Sequence, residues 1–369
     1  MPPSNPISPA DRGPGSPGPS RRALITGGAG FIGSHLAERL VAHGTEVTIL
    51  DDLSTGRREN LAAIADRVRF IEGDALDTLP GLADEPFDEI YHLAAAVGVE
   101  RVLNDPIGAI ETNIDTTAAV LKFAHRAGSD LMSRPAVLVA SSSEVYGKPT
   151  TEVFSEENDV VFGPTSATRW SYAQTKTIDE HLAMAYHRMR GVRTVIARFF
   201  NIVGPRQIGD YGMVLPRFVA RARSGEPIEV YGDGGQSRCF CDVRDLVPAL
   251  PELLAASACH GRVFNLGGDE PITMLDLAHR VKTALGSDVP VKLRPYEAVY
   301  APGFEDLRRR RPDLTRVRSA IAFEPKIELD RTILDLAAEM AGDGHMSTKA
   351  RPEPRTRSSV SPSVEETQP

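Results

Sequence analysis

The sequence predicts an α/β protein: a doubly wound parallel sheet of the Rossmann type with a smaller α/β substrate-binding lobe. Three observations predict it. A strand-like run ends in a glycine turn at residues 23–33, a second strand ends in an acid about twenty residues later, and strand and helix patterns alternate to about Phe200.

In the first element, Gly27, Gly30 and Gly33 fall where the apolar run Ala23 to Thr26 turns into a helix that opens with Phe31 and Ile32. A turn that tight needs residues that accept positive φ, and a pyrophosphate reaches the backbone only where side chains are missing. The unpaired amides of the helix then face an anion. In the second element, the run Thr45 to Leu50 ends in Asp51-Asp52, where a ribose-binding acid belongs. A carboxylate there repels a 2′-phosphate, so the expected cofactor is NAD rather than NADP, although Arg57 and Arg58 follow closely.

Further along, the apolar run Ala136 to Ala140 is followed by Ser141-Ser-Ser-Glu-Val-Tyr-Gly147. This places hydroxyls and a carboxylate at the carboxyl end of a parallel strand, the edge where open α/β sheets bind ligands. Tyr172 and Lys176 are four residues apart in a segment of helical periodicity, so both project from one face. A phenol with a pKa near ~10 is a poor base, and an adjacent ammonium is expected to lower it.

On these ordered motifs the chain resembles the extended short-chain dehydrogenases/reductases, the nucleotide-sugar epimerases, dehydratases and decarboxylases, over about residues 22 to 340. The resemblance implies a nicotinamide site in which Ser142, Tyr172 and Lys176 oxidise a sugar hydroxyl. It also implies that Asp74 and Ala75 face the adenine and that Leu93-Ala-Ala-Ala96 lies beneath the dinucleotide; a helix cap is the other reading of Asp74. His92 reads as a strand-end structural residue.

Composition agrees. With 369 residues, 41% of them hydrophobic, the chain is long enough to bury a full core. A net charge of −8 gives no support for nucleic-acid binding. No apolar run reaches membrane-spanning length and no signal-peptide core opens the chain, so a cytoplasmic protein is expected. Cys239, Cys241 and Cys259 lack metal-type spacing and read as reduced thiols, with no metal site expected. Residues 1–20 and 342–369 are polar and rich in Pro, the first also in Gly and Ser, and are expected to be disordered tails. Between them, residues 21–200 read as the NAD-binding domain and residues 201–341 mainly as the sugar-nucleotide lobe, interleaved with the main sheet.

The pair Ser143-Glu144 discriminates within the family. It lacks the Asp-Glu of 4,6-dehydratases and is similar to UDP-glucuronate decarboxylases, in which an acid here has a role. The alternative is a carboxylate that only anchors the strand end. Phe162-Gly-Pro, Arg169-Trp-Ser-Tyr172, Arg238-Cys-Phe240, and Gly303-Phe-Glu-Asp with Arg308-Arg-Arg-Arg-Pro312 resemble the same decarboxylases. The resemblance places Arg310 at the decarboxylation step, against the plain reading of four arginines as a solvated face. It makes Ser143, Arg169, Asn201, Arg238 and Arg310 substrate contacts. Arg206 and Arg244 either join them or pair with Asp210 and Asp242. Glu229 and Phe304 depart from the related pattern of a lysine and a tyrosine, which leaves the nucleotide base open.

The expected reaction is NAD-dependent decarboxylation of UDP-glucuronate through a 4-ketone to UDP-xylose. A nucleotide-sugar 4-epimerase and a non-catalytic NAD-binding sensor are the alternatives. Helices read at Pro106 to Ala127 and Tyr172 to Arg190 carry apolar positions that, by the same resemblance, pair across a two-fold axis in a homodimer.

Overall fold

Every residue from Ala23 to Thr26 is fully buried, as in a strand covered by helices on both faces. This strand, β1 (Arg22–Thr26), leads through α1 (Phe31–Ala42) to β2 (Glu46–Asp51). There follow β3 (Val68–Glu72), α2 (Ala75–Thr78), β4 (Glu89–His92), α3 (Pro106–Arg126), β5 (Ala136–Ser142), α4 (Trp170–Arg190) and β6 (Thr194–Phe200). The computed structural model describes residues 20–98, 102, 104–128, 130, 133–209, 213–299 and 307–342. The tails expected to be disordered lie outside these residues, apart from Ser20 and Gly342, as do Asp210 and Phe304.

After β6 come β7 (Ile202–Val203), α5 (Val214–Ser224), β8 (Ile228–Tyr231), β9 (Ser237–Cys239), β10 (Cys241–Asp242), α6 (Val243–Ala255) and β11 (Arg262–Gly267). The chain continues through β12 (Pro271–Thr273), α7 (Met274–Leu285), β13 (Val291–Arg294), β14 (Arg309–Arg310), α8 (Thr315–Ala320) and α9 (Leu329–Gly342).

The main sheet has the order β11-β6-β5-β4-β1-β2-β3, and every neighbouring pair is parallel. From β1 the chain builds outward to β3 and then crosses back to β4 on the other side. The carboxyl ends of β1 and β4 therefore part at a topological switch point, which opens a crevice for a ligand. β11 joins this sheet beside β6, and Leu246, Leu250 and Leu253 of α6 enter the same core as Leu36 and Leu40 of α1. The segment after residue 200 thus serves both units.

The lobe has its own core, in which Leu215 and Phe218 of α5, Val230 of β8, Leu277 and Val281 of α7, and Ile333 and Leu336 of α9 meet. α9 is fastened to the end of β10, which pairs with β7, through Asp242, which accepts hydrogen bonds from Arg244 and from the Thr332 hydroxyl (2.7 Å for the latter). Among the described residues no helix is long and apolar enough to cross a membrane.

Candidate active site

A cleft of about 550 Å³ runs along the carboxyl edge of the sheet and under the lobe. Its floor is the glycine turn. A Cβ on Gly27 would come within 2.7 Å of the Ala94 amide, and one on Gly33 within 2.2 Å of the Gly27 carbonyl. No side chain could stand at either position, which is the close approach the sequence spacing implied. Gly30 caps α1 without a side-chain hydrogen bond, so the first amides of that helix are left for a ligand. Phe31 and Ile32 line the cleft beside it.

Asp51 ends β2 and is 7% exposed; its carboxylate accepts the amides of Ala29 and Leu53, each at 2.9 Å. Burial raises its pKa, opposed by those two amides. Of the two arginines that bear on cofactor choice, Arg58 is engaged elsewhere: it lies 2.8 Å from Glu72 and stacks on Phe70. Asp74 caps α2 by accepting the Leu76 amide at 2.7 Å, so the cap reading holds, and Asp74, Ala75, Leu93 and the alanines after it also line the cleft. An uncapped helix terminus, a floor closed to side chains and a buried acid at the end of β2 together fit a dinucleotide.

Beyond the turn, Ser142, Ser143 and Glu144 leave β5, and α4 lays Tyr172 and Lys176 along the same wall. The Ser142 hydroxyl accepts the Glu144 amide at 3.2 Å and lies beside the Tyr172 phenol. Tyr172 corrects one expectation. Its pKa is raised, not lowered, because desolvation of the hydroxyl dominates and Glu144 and Asp179 add to it, while Ser142 and Arg310 oppose. Lys176 does not offset this in the free protein, since its ammonium is paired with Asp179 at 3.0 Å in a pocket where neither side chain exceeds 3% exposure.

Glu144 is gripped by guanidiniums. Arg310 reaches one carboxylate oxygen at 2.6 Å and Arg169 the other at 3.3 Å, and Arg310 also donates to the Ser143 hydroxyl at 3.3 Å. Desolvation pushes the Glu144 pKa up, but Arg310, Arg169 and Arg238 pull it down to about 2. Glu144 is therefore a carboxylate at neutral pH and, as it stands, has no proton to give.

The lobe supplies the other wall. β14 pairs with β9 so that Arg310 lies opposite Arg238, which donates to the Ser237 and Leu307 carbonyls at 2.8 Å. Asn201, at φ 39°, donates to the Cys239 carbonyl at 2.9 Å and lines the cleft. Arg206 also lines it but bonds Glu38. Arg244 bonds Asp242 and Asp335, each at 2.7 Å, and lies outside the cleft lining, so it ties elements together. His92 is structural as read: it bridges Thr26 and Thr117 at 2.8 and 3.0 Å, and burial, helped by Lys176, lowers its pKa to about 3. All three cysteines are free and buried, and burial raises each thiol, Cys239 to about 12.

Two features escaped the sequence. Asp179 was not singled out, although it stands seven residues after Tyr172 and three after Lys176 and so shares their helix face. The buried Arg198–Glu180 pair, with two hydrogen bonds of 2.9 and 2.7 Å, braces β6 against α4 behind the site.

The description "NAD dependent epimerase/dehydratase family" matches residues 23–267. A UDP-N-acetyl-alpha-D-glucosaminuronate decarboxylase from Bacillus cytotoxicus is 38% identical over 314 residues, 84% of this chain and 95% of that protein. UDP-glucuronic acid decarboxylase 1 of Arabidopsis thaliana is 37% identical, covering 84% of this chain and 67% of that one. Among solved structures, the UDP-glucose 4-epimerase of Thermus thermophilus complexed with NAD superposes with a TM-score of 0.75 at 28% identity, over 87% of this chain and 99% of that chain. The match spans the glycine turn, Asp51, the Ser142–Tyr172–Lys176 wall and β11, and on it the chain belongs to the NAD dependent epimerase/dehydratase family.

Proposed function

We propose that the protein decarboxylates UDP-glucuronate, through a 4-keto intermediate, to UDP-xylose. The observation that carries this reading is the grip of Arg310 and Arg169 on Glu144, beside the Ser142 and Tyr172 hydroxyls. A site that only oxidises and re-reduces a neutral sugar has no use for such a concentration of guanidiniums, whereas a substrate carboxylate does.

Bound NAD+ supplies the acceptor for the C4 hydride, a positive ring that favours the phenolate, and in reduced form the hydride that restores the alcohol. Tyr172 takes the proton of the 4-hydroxyl, and Ser142 holds that oxygen. The ketone so formed is β to the C6 carboxylate. The C5–C6 bond then breaks with loss of CO2, and its electron pair passes into the enolate. Arg310 and Arg169 hold the departing carboxylate. A second anion on the same cations loosens their hold on Glu144, whose pKa then rises from about 2; the proton it takes up is passed to C5. Tyr172 returns its proton to the oxygen at C4 as the alcohol re-forms.

Incubation with UDP-glucuronate and NAD+ should give a product lighter by one CO2 on mass spectrometry. The Bacillus cytotoxicus relative motivates UDP-N-acetylglucosaminuronate as a second substrate in the same assay. Interconversion of UDP-glucuronate and UDP-galacturonate without loss of mass, or turnover of UDP-glucose alone, would make the protein an epimerase and overturn the reading.

A homodimer is part of the same proposal. α3 and α4 pack against each other and leave Ile107 70%, Ile110 36% and Ile178 42% exposed, an apolar strip suited to a second copy of the same helix pair. Light scattering at micromolar concentration should give twice the mass of the chain; a monomer would count against this pairing.

A further inference from the structure

We propose that Asp179 is the counter-charge of the Tyr172–Lys176 pair and sets the pH range over which Tyr172 accepts a proton. The inference rests on Tyr172 being the base, and it assigns work to a residue that touches neither cofactor nor substrate.

The geometry is specific. Positions 172, 176 and 179 form one stripe along α4. Asp179 is fully buried, its Oδ2 lies 3.0 Å from the Lys176 ammonium, its Oδ1 has no well-formed hydrogen bond, and the Thr117 hydroxyl lies near the carboxylate. Thr117 in turn meets His92, so a line of polar groups runs from the sheet through α3 to Lys176. Burial raises the Asp179 pKa, opposed by Lys176 and Thr117.

An ammonium helps a phenolate only with the charge that its own partner leaves it. Asp179 opposes that help twice, by neutralising Lys176 and by acting directly on Tyr172, whose pKa it raises. In the free protein the other groups facing the stripe are fixed. There Glu144, after β5, is ionised with a pKa of about 2, and His92, on β4, is neutral with a pKa of about 3. Arg310, on β14, is held by Glu144, and Glu180, on α4 itself, by Arg198. Beside the charge of Glu144, that of Asp179 therefore tunes the base, and it alone does so through Lys176.

The test replaces the charge and keeps the volume. In Asp179→Asn and Asp179→Leu, the acid limb of the single-turnover rate of NADH formation should move to lower pH by about one unit, the scale on which one neighbouring charge acts. Asp179→Glu should keep the wild-type limb. Rates are taken with UDP-glucuronate and, in parallel, with UDP-glucose, because C4 oxidation precedes any decarboxylation. Cofactor reduction by UDP-glucose alone would sink the decarboxylase reading and still leave the limb to be read.

A readout free of cofactor and substrate is the ultraviolet phenolate band that Tyr172 contributes on alkaline titration, taken as the difference from Tyr172→Phe. In Asp179→Asn it should appear at lower pH. A structural residue would lower rates at every pH and leave limb and band where they were, which would overturn the proposal. So would failure of both neutral variants to fold.

Discussion

Glu144→Ala and Arg310→Ala should each slow CO2 release about 10²–10³-fold more than they slow NADH formation in a single turnover, the usual consequence of losing one preorganised charge at a reacting centre. Oxidation at C4 uses the Ser142–Tyr172 wall, so the cofactor should still be reduced and a 4-keto acid should accumulate. Each tenfold corresponds to ~1.4 kcal/mol of barrier. Rapid-quench mass analysis beside absorbance of the reduced cofactor separates the two steps. Equal slowing of both would mean that these side chains only bind substrate. Glu144→Gln is the companion, because it keeps the volume and removes the carboxylate that Arg310 and Arg169 share.

Tyr172→Phe should lower turnover by ~10² or more while leaving NAD affinity within a few-fold. The ring is retained, so its packing against Ala96, Val102 and Ala109 is kept and the protein should fold as before. Only the proton acceptor is lost. Because the Tyr172 pKa is raised in the free protein, the wild-type rate should climb with pH until the phenolate is reached, and that climb should vanish in the variant. A variant within a few-fold of wild type would remove Tyr172 from the chemistry.

Much of the fold was legible because its signals are local. The glycine turn, the acid ending β2 and the hydroxyls after β5 each follow from a strand meeting a helix, and each lies where its spacing implied. Sheet order was not legible in the same way. β11 lies sixty-two residues after the last residue of β6 (Arg262 against Phe200), yet the two are neighbours, since nothing local records which edge a returning strand will join.

The four arginines show the same division within the site. Of Arg308, Arg309, Arg310 and Arg311 only Arg310 is buried; Arg308 pairs with Asp233 and Arg309 with Glu152 at the surface. The reading as a solvated face was right for its neighbours, and the alternation of a two-residue strand turned one guanidinium inward. The electrostatics of Tyr172 were misread for a different reason. A Lys four residues away is visible in the sequence, but the burial that decides the sign of the shift, and the acid that occupies the lysine, are properties of the packed helix.

The Glu144–Arg310 contact joins the two halves of the molecule, because the carboxylate follows β5 of the main sheet while the guanidinium sits on β14, paired to β9 of the lobe. It is a clasp as well as a charge pair. A sugar that carries its own carboxylate can bid for the guanidinium and work the clasp, whereas a neutral sugar of the same size has nothing with which to open it. Selection of an acidic substrate would then be exerted at this contact between the halves, before any bond is broken.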